Sequence, residues 1–153
     1  MYTKEEASKL RQLFWTTFGQ YIAPQLSAEG LKINWVNYKT GIKHLYFRME
    51  AGQKSAGISI EITHNDVGIQ KLFFDQFAEL KNILQSYLQE DWDWQLYVRD
   101  DNGKTVSRIS KQISSISIYN RNDWPVLISF FKPRIIALDE FWSDARYAFE
   151  SLK

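Results

Sequence analysis

The chain has 153 residues, the length of one domain, with 19 basic against 18 acidic residues, a net charge of +1 and no Cys. The missing Cys excludes disulfides, thiolate catalysis and Cys-based zinc sites, and the even charge balance, without a basic block, gives nucleic-acid binding only weak support. Aromatic residues make up 16%, enough to build a dense core and to leave some at a groove or interface.

The opening stretch, MYTKEEASKLRQLF, is charged and holds no apolar signal core. No apolar run approaches the ~20 residues needed to cross a bilayer. The expectation is a cytoplasmic protein with no membrane association.

From Lys4 to Ile22, Leu10, Leu13, Phe14, Thr17, Phe18, Tyr21 and Ile22 recur at helical spacing. Thr3 followed by Glu6 fits a capping box, and Pro24 marks the end. Leu31–Tyr38, LKINWVNY, is rich in strand formers and reads as a strand, with a turn at Lys39–Gly41. Lys43–Glu50 alternates, as does Gly57–Thr63 beyond the turn AGQKSA. Pairing Ala51 with Ala56 sets Met49 opposite Ile58, Phe47 opposite Ile60 and Leu45 opposite Ile62. A slip of one residue would throw one apolar set to the wrong side.

Asp66–Leu88 predicts a long helix capped by Asn65 or Asp66, with Ile69, Phe73, Phe77, Leu80, Leu84 and Tyr87 as its stripe, thickened by Leu72, Ile83 and Leu88. Trp94–Arg99 and Lys104–Ile109 read as strands around an Asn102-Gly103 turn. Ile116–Tyr119 reads as a further short strand, and Ser110–Ser115 between them has no assignment. Asp123 opens a last helical region with Pro125 in its first turn; Pro133 kinks it or starts a second helix. The expected fold is a single α+β domain over residues 1–153: an antiparallel-rich sheet of about five strands with helices packed on it, in the order α-βββ-α-βββ-α.

That order is similar to the core of restriction-endonuclease-like PD-(D/E)xK nucleases. These hold Mg²⁺ with a carboxylate on one hairpin strand and a Glu-x-Lys or Asp-x-Lys on the next. Here Glu61 is present, but Thr63 stands where the Lys belongs. In the expected register Glu61 faces Tyr46. Glu50 is four residues from Tyr46, roughly 13 Å along a strand, too far for an ion whose ligands sit about 2 Å away. Asp66 is better explained as a helix cap.

The polar face of the hairpin gathers His44, Tyr46, Arg48 and Glu61, and a Glu61–Arg48 pair explains the acid without chemistry. A general-base role for His44 oriented by Glu61 lacks a nucleophile, Ser59 being the nearest hydroxyl. His64, in the strand-to-helix turn, is expected to point to the other side. Trp92, Trp94 and Trp124 read as core lids. Arg108 and Lys111, close to Ser hydroxyls, form an anion-contacting candidate. No catalytic set, no metal set and no cofactor motif such as a glycine-rich phosphate loop is identified.

LYFRMEA with ISIEITHND, FFDQFAELK (Phe73–Lys81), VSRIS (Val106–Ser110) and YNRNDWPVLISFFKPRIIALDEFW (Tyr119–Trp142) together resemble a bacterial family, domain of unknown function 4268. The resemblance spans nearly the whole chain and is most specific in the last stretch. Longer relatives carry this domain behind a nuclease-like region, and short ones consist of the domain alone. The resemblance implies a stand-alone bacterial cytosolic domain and carries over no catalytic residue. The functional expectation is a non-catalytic accessory or protein-interaction domain, with an unknown protein partner or self-association; the rival is a divergent nuclease or a nucleic-acid-binding remnant of one, and a third class is small-ligand binding between the sheet and the final helices.

Overall fold

A computed structural model describes residues 2–152. Helix α1 (Lys4–Ile22) starts at the expected capping box. The Glu6 amide donates to Thr3 Oγ1 at 3.1 Å and the Thr3 amide donates to Glu6 Oε1 at 3.4 Å. The helix buries Phe14, Phe18 and Ile22.

Residues 23–44 form no strand, which corrects the expectation for Leu31–Tyr38. Trp35 and Tyr38 are both buried in the core. At a spacing of three, a strand would send them to opposite faces. The loop is tied instead through side chains: Trp35 Nε1 donates to the Gln25 carbonyl at 3.0 Å and the Asn37 amide donates to Asn34 Oδ1 at 3.0 Å.

Strands β1 (Leu45–Ala51) and β2 (Ser55–Ile62) pair in the expected register, with Leu45 on Ile62, Phe47 on Ile60, Met49 on Ile58 and Ala51 on Ala56. Where one helix is expected there are two, α2 (Val67–Glu79) and α3 (Lys81–Leu88), separated at Leu80. Asp66 caps α2 through the Gly68 amide at 2.8 Å. The break lets α2 lie on the sheet while α3 packs against the last long helix; Leu72 and Ile83, expected to thicken the stripe, are exposed.

Strands β3 (Asp93–Arg99) and β4 (Thr105–Ser114) flank the Asn102-Gly103 turn, where Gly103 takes φ +76°. Asp100 Oδ1 accepts the Asn102 and Lys104 amides, both at 2.9 Å. The unassigned Ser110–Ser115 stretch is largely the end of β4. Ile116–Tyr119 is not a strand: it docks on the β1–β2 turn through Ile116 N–H to Lys54 O at 3.3 Å and Ile118 N–H to Gly52 O at 3.0 Å, burying both isoleucines.

After a short 3₁₀ turn, α4 (Trp124–Ala145) runs through Pro133 without interruption, and α5 (Tyr147–Glu150) follows. Packing of Phe130, Phe131, Ile135 and Leu138 into the core offsets the hydrogen bond that Pro133 cannot donate.

The architecture is therefore α+β, with one antiparallel sheet of four strands among the described residues, not five, in the order β1-β2-β4-β3. The helices and loop 23–44 cover one face, where Leu45, Phe47, Ile58, Ile60, Ile62 and Ile109 meet the core. Register sends Tyr46, Arg48, Ser59, Glu61, Arg108 and Ser110 to the other face. Among the described residues, no helix is long and apolar enough to cross a membrane.

Candidate functional site

On the outer face of the sheet, Glu61 is opposed by Tyr46 on one side and by Arg108 on the other. Arg48 reaches it diagonally, with Nη1 2.8 Å from Glu61 Oε1, while Arg108 Nη2 lies 3.6 Å from Glu61 Oε2. The Arg48 guanidinium also stacks 4.4 Å from the Tyr46 ring centre. Glu61 is only 5% exposed. Burial raises its pKa above the ordinary carboxylate range, against the pull of Arg48 and Arg108.

Both carboxylate oxygens thus face guanidinium groups. Beside them lies a hollow of about 40 Å³ bordered by Glu50, Ser59, Arg108 and Ser110, the scale of a single water molecule. The buried Arg108 Nε has no hydrogen-bond partner among the described residues. No group of three or more His, Asp or Glu side chains is placed to hold a metal ion among those residues. The arrangement is an Arg–Glu–Arg bridge across three strands.

The remaining residues singled out in the sequence disperse. His44 precedes β1 with φ +69°, and its ring lies 4.9 Å from that of His64, edge to face. That corrects the expectation that His64 points away. Burial, and then the charges of His64, Lys43 and Lys104, hold the His44 pKa below the ordinary value. His64 Nδ1 accepts the Asp66 amide at 2.9 Å. Arg108 and Lys111, three apart on β4, take opposite faces. Arg108 turns to Glu61 and Lys111 to the Asp91 carbonyl at 3.5 Å. Trp92, Trp124 and Trp142 are buried, and each donates its indole N–H: Trp92 to Glu90 Oε2, Trp124 to Ile118 O and Trp142 to Thr40 O.

A second site lies where none of the residues singled out in the sequence falls. Loop 23–44 and the C-terminal half of α4 enclose a cavity of about 280 Å³. Its apolar wall is Leu31, Ile33, Tyr38 and Trp142, and its polar groups include Asn34, Lys39, Asp139 and Arg146. Asp139 is buried, with Oδ1 accepting the Tyr38 hydroxyl at 2.6 Å and Oδ2 accepting the Ala28 amide at 2.7 Å. Burial, then the bond to Asp139, push the Tyr38 hydroxyl pKa far above its ordinary value. Two signals pointed here: an acid inside the apolar stripe of α4, and a connection of some twenty residues without regular structure, a length at which loops are commonly functional.

With this geometry in place, the comparisons with known proteins add one assignment. The chain belongs to the family described as Domain of unknown function (DUF4268), whose model matches residues 10–146. No curated protein matches the chain, and no solved structure does.

Proposed function

We propose, with that family membership as the premise, that the chain is a non-catalytic accessory and interaction domain of the bacterial cytosol, and that it acts through self-association by strand addition at β1. The observation that carries this reading is the state of the two sheet edges. Edge strand β3 is interrupted by a bulge between Gln95 and Val98, with Tyr97 at φ +61°, a device that discourages pairing. Edge strand β1 pairs without a register shift over all seven residues. Apart from its β2 partner, no backbone hydrogen bond joins Tyr46–Glu50 to another segment among the described residues.

The occupant we favour is a second copy, because the edge is self-complementary. An antiparallel pairing with its two-fold axis at Met49 sets Arg48 of each copy opposite Glu50 of the other. Arg48 retains 42% side-chain exposure beside its bridge to Glu61, so it is accessible for this. Light scattering on the full chain over a concentration series is the test. Dimerisation that Glu50→Lys weakens by placing cations opposite each other supports the reading. A chain that stays monomeric throughout overturns it.

The nuclease reading has less support. Its element order loses one strand before α2, and the carboxylate it needs is bridged by two arginines. We expect no Mg²⁺-dependent cleavage of single- or double-stranded DNA. Cleavage that disappears in Glu61→Gln would restore that alternative.

A further inference from the structure

The cavity between loop 23–44 and α4 is walled by Tyr38 and Trp142, whose rings also pack on Phe47 of β1, and its charged groups are unequal in one respect. Both of its carboxylate side chains are engaged. Asp139 uses both oxygens on Tyr38 and Ala28, and Glu29 Oε2 is held by Arg146 at 3.6 Å and by the Ser143 hydroxyl at 3.3 Å. Its free groups include two donors. Lys39 Nζ, exposed at the rim, has no hydrogen-bond or ion-pair partner among the described residues, and the Asn34 side chain accepts the Asn37 amide through Oδ1 while its NH₂ has no such partner. Below this rim lie the apolar faces of Ile33, Tyr38 and Trp142.

From this we infer a binding site for a small apolar carboxylate, a ring or branched aliphatic body with one carboxylate arm. The body packs against Tyr38 and Trp142, and the carboxylate meets Lys39 and the Asn34 amide. Three points argue for this class. About 280 Å³ falls just under the smallest drug-sized sites, which suits a metabolite-sized molecule. A cationic ligand would find neither acid unpartnered, since displacing Tyr38 from Asp139 or Arg146 from Glu29 breaks an existing bond. The pocket is also pre-formed, because Trp142 Nε1–H to Thr40 O at 2.8 Å and Tyr38 to Asp139 pin the loop from both ends of the wall, so little ordering is spent on binding.

The test is a titration of the ¹⁵N-labelled full chain with phenylacetate, phenylacetamide and phenethylamine, following the Trp142 indole N–H resonance. Phenylacetate should give a saturable shift, and the neutral amide and the amine should bind more weakly. Lys39→Gln, at an exposed position with no partner to lose, should weaken phenylacetate by about threefold. Ser143→Phe, which puts a ring on a residue lining the cavity, should abolish the shift. No saturable shift with phenylacetate, equal binding of the amide, an unchanged affinity in Lys39→Gln, or binding that survives Ser143→Phe would each overturn the assignment.

Discussion

Arg48 Nη1 lies 2.8 Å from Glu61 Oε1 although the two residues are not opposite each other: Glu61 faces Tyr46, and Arg48 crosses the hairpin diagonally. From the other side Arg108, the true register partner of Glu61 on β4, comes within 3.6 Å. The acid therefore joins β1, β2 and β4 on the face away from the core. Two guanidinium groups do not cancel the cost of its burial, and its pKa stays raised.

The sign of the pH dependence follows. The folded state holds the Glu61 proton more tightly than the unfolded state, for which the ordinary value is 4.5. The Glu61 contribution is greatest below that value and is lost as pH rises towards the raised one. Urea denaturation of the parent and of Glu61→Gln across this window should show a stability difference that shifts in favour of the variant as pH rises. Glu61→Ala leaves both arginines without their acceptor and should cost more than Glu61→Gln, about 1–3 kcal/mol at neutral pH.

The Glu90–Arg134 pair titrates with the opposite sign. Arg134 donates through Nε and Nη2 to both Glu90 oxygens at 2.8 Å, and Trp92 Nε1 adds a third bond at 2.8 Å. Burial alone would raise the Glu90 pKa, but these donors outweigh it and hold it below the ordinary value. Its contribution is complete above pH 4.5 and fades as pH falls through the lowered value. Thermal melts should give Glu90→Gln a penalty of about 1–2 kcal/mol at neutral pH that shrinks in acid. Arg134→Lys keeps the charge but loses the fork and should also destabilise.

Gln70 is fully buried, donating to the His64 and Thr105 carbonyls at 2.7 and 2.8 Å and accepting the Ser107 hydroxyl at 2.9 Å. It ties the start of α2 to β4 with every side-chain polar atom used. Gln70→Leu, close in volume, leaves those partners buried and should cost about 2–4 kcal/mol in chemical denaturation. A loss below about 0.5 kcal/mol, the range of ordinary surface changes, would mean that the network contributes nothing net.

What was legible in the sequence is what periodicity encodes. The β1–β2 register could be read because Leu45, Phe47 and Met49 must meet Ile62, Ile60 and Ile58 on one face. From that register the Arg48–Glu61 diagonal followed. Trp35 and Tyr38 were misread because aromatic and β-branched residues fit any half-buried surface, and their loop conformation depends on distant partners in α4. The break at Leu80 was invisible for a similar reason. The apolar stripe runs through it, and only the different partners of α2 and α3 require the bend. Gln70, Glu90 and Asp139 carry no local pattern that fixes their roles, since each also bonds a partner more than thirty residues away.

Tyr38 and Asp139 are the contact on which the loop's position rests most directly, a 2.6 Å bond spanning 101 residues of sequence. Removing the hydroxyl in Tyr38→Phe leaves Asp139 Oδ1 buried with no donor, while Oδ2 keeps the Ala28 amide. A neutral donor lost to a buried carboxylate should cost about 1.5–3 kcal/mol at neutral pH. At the alkaline end the comparison changes. Burial, and then the bond to Asp139, raise the Tyr38 pKa above its ordinary value of 10.0, so folding favours the protonated phenol and the parent loses stability as pH climbs past 10.0. Tyr38→Phe has no such proton to lose, so the gap between the two chains should narrow there. A gap that stays constant through the alkaline range would show that the hydroxyl is not buried against Asp139, and that the loop is held by its other ties, among them Trp35, Trp142 and the Ala28 amide.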